Sequence, residues 1–91
     1  MSKITHLSLD VLKAHKPDVV DFAKQICARG PDYTVIIRVV ELDERTETLE
    51  VQIDGDDIRF DDIRETISRL GGSVHSIDRV VVGPSDNSDE R

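Results

Sequence analysis

Residues Gly71 to Gly83 read GGSVHSIDRVVVG, and the way this stretch is read decides the fold. Gly71 can adopt the left-handed conformation that ends a helix. Gly72 then frees the chain to reverse before Val80, Val81 and Val82 enter a sheet. The stretch therefore joins a helix on its left to the last strand of the domain on its right. His75 and Asp78 lie in the polar segment between, where a strand that only closes a sheet needs neither.

Working back from Gly71, residues 61–70 place Ile63, Ile67 and Leu70 on one helical face, with Phe60 just ahead. Asp61 and Asp62 suit the positive end of that helix. Before it, Asp54-Gly55-Asp56-Asp57 is an acidic loop. Residues 33–42, YTVIIRVVEL, are apolar on both alternating sets, as in a strand covered on both faces. Residues 48–54 alternate, with Leu49, Val51 and Ile53 inward, and the short polar turn at Asp43 to Thr46 makes the two strands an antiparallel hairpin.

Nearer the N-terminus, residues 3–12 place Leu7, Leu9 and Val11 on one face and His6, Ser8 and Asp10 on the other, the alternation of a half-buried strand. A helix follows from Pro17, at its first position, to about Arg29. Its stripe is Val19, Phe22, Ala23, Ile26 and Cys27, so the single cysteine is expected in the core, and Gly30-Pro31 ends it. The order strand, helix, strand, strand, helix, strand predicts an α+β, ferredoxin-like βαββαβ sandwich. Its four-stranded antiparallel sheet has the order 4-1-3-2 and both helices on one face. Residues 1–83 form this one domain. Residues 84–91, PSDNSDER, hold no apolar side chain and are expected to be a disordered acidic tail.

Composition narrows the function classes. Without Trp and with one Tyr and two Phe, the core must be built from Val, Ile and Leu. A net charge of −7, with no basic cluster or aromatic platform, argues against nucleic acid as a partner. No apolar run reaches the ~20 residues of a membrane span, and a signal-peptide pattern is missing, so the expectation is a cytoplasmic protein that does not engage membranes. There is no GxGxxG, phosphate-binding Gly-rich loop or GxSxG.

Two groups of residues could hold a cation. Asp54, Asp56 and Asp57 make an acidic loop suited to weak calcium binding. An EF-hand is excluded, because Ile58 takes a ligand position and Arg59 stands where the turn requires Gly. His6 and Asp10, on the uncovered face of the first strand, would meet His75 and Asp78 from the last strand as a transition-metal or general-base cluster. A third surface is apolar. Ile36, Val40 and Leu42, with Arg38 among them, should form a row on the uncovered face of an edge strand, a surface suited to another copy.

The segments LDVLKAHKPD, VVELDERTETLEVQIDGDDI and LGGSVHSIDRVVVG together resemble the small archaeal family catalogued as domain-of-unknown-function family 211, over residues 4–83. The resemblance implies a ferredoxin-like fold, ring-like homo-oligomers and, in some members, bound calcium, with no established activity. Two departures stand out. Arg59 replaces the small or acidic residue common before the second helix, and Ile36 and Arg38 stand where polar residues are frequent. The reading that follows is a self-associating cytoplasmic protein, with a divalent cation or small ligand at its acidic loops or subunit boundaries. The alternatives are a metal-dependent enzyme using His6, Asp10, His75 and Asp78, and an ACT-like metabolite-sensing module, the latter by fold analogy alone.

Overall fold

The alternation in each strand fixes which side chains face the helices, and the pairing of the strands lines those side chains up in rows. In the computed structural model, which describes residues 1–85, β1 (Ser2–Ala14), β2 (Thr34–Leu42), β3 (Thr46–Asp54) and β4 (Gly72–Pro84) form one antiparallel sheet in the order β2-β3-β1-β4. The helices are α1 (Val19–Cys27) and α2 (Phe60–Arg69). Phe22 and Ile26 of α1 and Ile63 and Ile67 of α2 share one core with Leu7, Leu9, Val11, Leu49, Val51 and Ile53. Both helices thus cover the same face of the sheet, the ferredoxin-like α+β arrangement.

Directly paired residues of adjacent strands point to the same face, so the register gives transverse rows. On the helix side these are Val35-Ile53-Leu7-Val80, then Ile37-Val51-Leu9-Ile77, then Val39-Leu49-Val11-Val74. The two central strands are fully buried on this side, while the rows become exposed towards the ends of the edge strands. On the open side the rows are Thr34-Asp54-His6-Val81, Ile36-Gln52-Ser8-Arg79 and Arg38-Glu50-Asp10-Ser76.

β4 begins at Gly72, directly after the helix, and not near Val80. Its helix-side residues Val74, Ile77 and Val80 are spaced by three, because His75 and Asp78 are extra residues at two of the three register shifts in the pairing with β1; at the third, between Ile4 and His6, the extra residue is Thr5 of β1. Each bulge inserts one residue and hides the period of two that identifies a strand. Gly71, with φ +86°, ends α2 in the left-handed conformation. At Gly72 a Cβ would stand 3.0 Å from Ile67 Cγ2, so the reversal is also tight.

A bulge changes β2 as well. Val40 has no partner between the Val39–Leu49 and Glu41–Thr48 pairs, so the faces exchange beyond it and Leu42 lies opposite Glu47, on the helix side. The expected row of Ile36, Val40 and Leu42 is therefore broken. Ile36 and Arg38 keep the open face, Val40 is the bulge, and Leu42 ends the strand 65 % exposed on the other face.

Three further expectations change. Asp18, and not Pro17, opens α1. The Asp18 side chain accepts a hydrogen bond from the Asp21 backbone N–H at 2.8 Å, so it satisfies one of the helix's unpaired donors. Cys27 is exposed, since it lies about 100° around the helix from the buried Ile26, and its Sγ is 3.3 Å from the Tyr33 carbonyl oxygen. The proposed tail overlaps the sheet. Pro84 pairs with Ser2 and the Ser85 N–H donates to the Met1 carbonyl at 3.1 Å, while positions 86–91 lie outside the described residues.

Candidate functional site

The loops at one end of the sheet enclose a cleft of about 550 Å³ between the α1–β2 and β3–α2 connections. Tyr33 is its anchor. The ring is buried between Gly30 and Gly55, where an added Cβ would approach it to 2.4 and 2.9 Å, and its hydroxyl accepts a hydrogen bond from the Arg59 N–H at 3.0 Å. Arg29 clamps Asp62 with two hydrogen bonds of 2.7 and 3.0 Å. The guanidinium holds the Asp62 carboxyl below the usual carboxylate range. Arg59, at the N-cap of α2, makes no side-chain capping bond. Ile58, the residue that spoils a calcium loop, is buried in the core, and its N–H donates to the Ile4 carbonyl at 2.8 Å.

The three loop aspartates separate. Asp54 Oδ1 is 2.7 Å from His6 Nδ1 on the open face of the sheet. Both Asp56 oxygens accept from Lys3 Nζ at 3.1 Å, and its backbone N–H donates to Asp32 Oδ2. Asp56 and Asp57 both line the cleft, away from Asp54. Among the described residues, no three or more His, Cys, Asp or Glu side chains are placed to hold a metal ion.

The second candidate set is also dispersed. His6 and Asp10 share the open face of β1 but stand four residues apart along a strand, ~13 Å, too far to reach one ion with metal–ligand bonds near ~2 Å. His75 and Asp78 are the two bulge residues of β4. Asp78 Oδ1 accepts from Ser76 Oγ at 2.8 Å, and Ser76 pairs with Asp10. Among the described residues, the hydrogen-bond contact between the two candidate sets is that of His6 with Asp54. Arg38, placed in the apolar row, instead donates to Glu50 Oε1 across the hairpin at 2.9 Å.

Sequence reasoning missed a third cluster, at the far end of the sheet. Lys13 is on the helix side of β1 with a side chain that is 0 % exposed, and its ammonium donates to the Ala14 and Pro17 carbonyls at 2.8 and 2.6 Å. It also stands 3.1 Å from Glu47 Oε1 and 5.5 Å from the centre of the Phe22 ring. Glu47 Oε2 is 3.0 Å from His15 Nδ1. Burial pushes the Glu47 carboxyl up, but the contacts with His15 and Lys13 outweigh it and hold the group below its ordinary value. The available signal was Lys13 itself, which continues the inward alternation of Leu7, Leu9 and Val11.

The chain matches the family of domain of unknown function 211, described as "Uncharacterized ArCR", over residues 5–86. It belongs to that family. It is also 42 % identical, over 83 residues, to the uncharacterized protein MJ0319 of Methanocaldococcus jannaschii, an alignment covering 91 % of this chain and 86 % of that protein. Membership of family 211 assigns no chemistry, so the surfaces of this member must carry any functional reading. Among the described residues no helix is long and apolar enough to cross a membrane.

What remains exposed and unusual is apolar. On β4, Ile77, Val80, Val81 and Val82 are all open to solvent. On β2 the same is true of Ile36, Val39, Val40 and Leu42. These are the two strands whose outer backbone groups have no partner in the sheet.

Proposed function

We propose that this family 211 member is a self-associating cytoplasmic domain whose sheet continues from copy to copy, β4 of one adding to β2 of the next. The observation that carries the proposal is where the bulges fall. Bulges blunt an edge strand against further pairing; the extra residues that β4 itself carries, His75 and Asp78, precede Arg79–Pro84, and at the third register shift of this pairing the extra residue is Thr5 of β1. The bulge of β2, at Val40, leaves Thr34–Val39 regular. The unblunted segments, RVVVGP and TVIIRV, are also the apolar ones.

Strand polarity supports the same arrangement. β1 and β2 both run antiparallel to β3, and β4 runs antiparallel to β1, so β2 and β4 are antiparallel to each other. A second copy set beside the first in the same orientation therefore presents β2 to β4 in the more stable antiparallel sense. The row Val35-Ile53-Leu7-Val80 would continue into Val35 of the neighbour, covering Val80, which is 48 % exposed in the single chain. Each branched side chain so buried contributes ~1.5–3 kcal/mol before the costs of association. A head-to-tail contact of this kind closes into a ring or runs on as a filament.

Complementation tests it. Ile36→Glu with Val40→Glu blocks β2, and Val80→Glu with Val82→Glu blocks β4. Each variant alone should be monomeric by light scattering, and an equimolar mixture should form a dimer from the two intact edges. A variant that dimerises alone would mean like edges pair with like, against the head-to-tail arrangement.

A further inference from the structure

His15 faces hydrogen-bond acceptors with both ring nitrogens. Nδ1 is 3.0 Å from Glu47 Oε2, while Nε2 is 2.9 Å from the Asp43 carbonyl and 3.1 Å from that of Glu44. A neutral imidazole carries one N–H and one lone pair, so it can serve only one of these two sides. The other side would set a lone pair against oxygen. The imidazolium donates to both. Glu47 cannot relieve the conflict by taking a proton cheaply, because Lys13 Nζ stands 3.1 Å from its other oxygen.

The two sides belong to different parts of the chain. His15 follows β1, Glu47 is the second residue of β3, and Asp43 and Glu44 form the turn between β2 and β3, closed by the Asp43 N–H donating to the Thr46 carbonyl at 2.9 Å. We propose that His15 is a proton-operated latch that fastens the β2–β3 turn to the end of β1 when charged and lets it go when neutral. The charged groups facing it are Glu47 from β3 and Lys13 from β1, whose ammonium also lies 3.4 Å from the His15 carbonyl; Asp43 and Glu44 present backbone carbonyls to the ring. The side chain is 40 % exposed, so water can exchange its proton without unfolding. The hydrogen bond to Glu47, followed by the Asp43 carbonyl, raises its affinity for that proton above the ordinary histidine value, as the geometry demands.

The sign is fixed by that direction. The latch is closed below the unfolded histidine pKa of ~6.5 and opens as pH rises through the higher folded value. It can be read in the full chain by following the His15 ring resonances together with exchange of the Asp43 amide, corrected for its intrinsic pH dependence. Protection of that amide should fall in step with His15 deprotonation, by ~tenfold for each unit by which His15 titrates above ~6.5, while core amides of Leu9 and Val51 stay protected. His15→Gln should remove the step, and His6→Gln should leave it intact. Should His15→Gln not fold, the wild-type titration decides alone. Asp43 protection that does not follow the His15 titration, or a His15 that titrates at or below ~6.5, would overturn the latch.

Discussion

Lys13 Nζ and Glu47 Oε1 lie 3.1 Å apart on the helix side of the sheet, in paired positions of β1 and β3, where every other row is filled by apolar side chains. The pair closes one end of the core. Its cost in lost hydration is offset by the carbonyls of Ala14 and Pro17 around the ammonium and by His15 on the carboxylate.

Breaking this pair from one side should be expensive. Glu47→Gln leaves the fully buried ammonium without its counter-charge, and Lys13→Met leaves the carboxylate with only His15. Either change is expected to cost ~3–5 kcal/mol in denaturant unfolding. Lys13→Met combined with Glu47→Leu should lose clearly less than the sum of its parts.

Tyr33 and Gly30 should behave as a coupled pair. An alanine at position 30 would bring its Cβ to 2.4 Å from the buried ring, and Gly30→Ala is expected to destabilise by ~1–3 kcal/mol through overpacking. Tyr33→Leu frees that space but strands the Arg59 N–H, which donates to the hydroxyl. In a double-mutant cycle followed by thermal unfolding, the two changes together should cost less than their sum.

Acid should act through the Arg29–Asp62 clamp. Because Arg29 holds the Asp62 carboxyl below its ordinary value, this pair contributes stability above the unfolded carboxylate pKa of ~3.9 and loses it as pH falls through the lower folded value. Both side chains are partly solvated, so the effect is small. Arg29→Met should bring the Asp62 titration, followed by carboxyl carbon shifts, up towards ~3.9.

The sequence carried the element order, the sheet order and nearly all of the core, because Leu7, Leu9, Val11, Leu49, Val51 and Ile53 alternate without interruption in the central strands. It carried the edges less well. The bulges at Val40, His75 and Asp78 each add a residue whose presence depends on the neighbouring strand, so a period of two no longer tells which face Leu42 or Val80 takes. The contacts of the polar residues were hidden for a related reason. Residue type marked His6, Asp54 and Asp56 as possible ligands, but Lys3, brought to Asp56 by the β1–β3 packing, and the register that sets His6 beside Asp54 commit them to each other. The Lys13–Glu47–His15 cluster brings Glu47 to two residues that lie 32 or more positions before it, a proximity visible only once the hairpin is folded against β1.

The most direct test of edge-to-edge assembly is the mass of the unaltered protein at micromolar concentration, measured by light scattering with sedimentation. The account predicts a single species at a fixed multiple of the 10.2 kDa chain, reduced to 10.2 kDa when Val80 and Val82 are both replaced by Glu. A wild-type particle of 10.2 kDa, or an assembly whose mass ignores that double substitution, would contradict it.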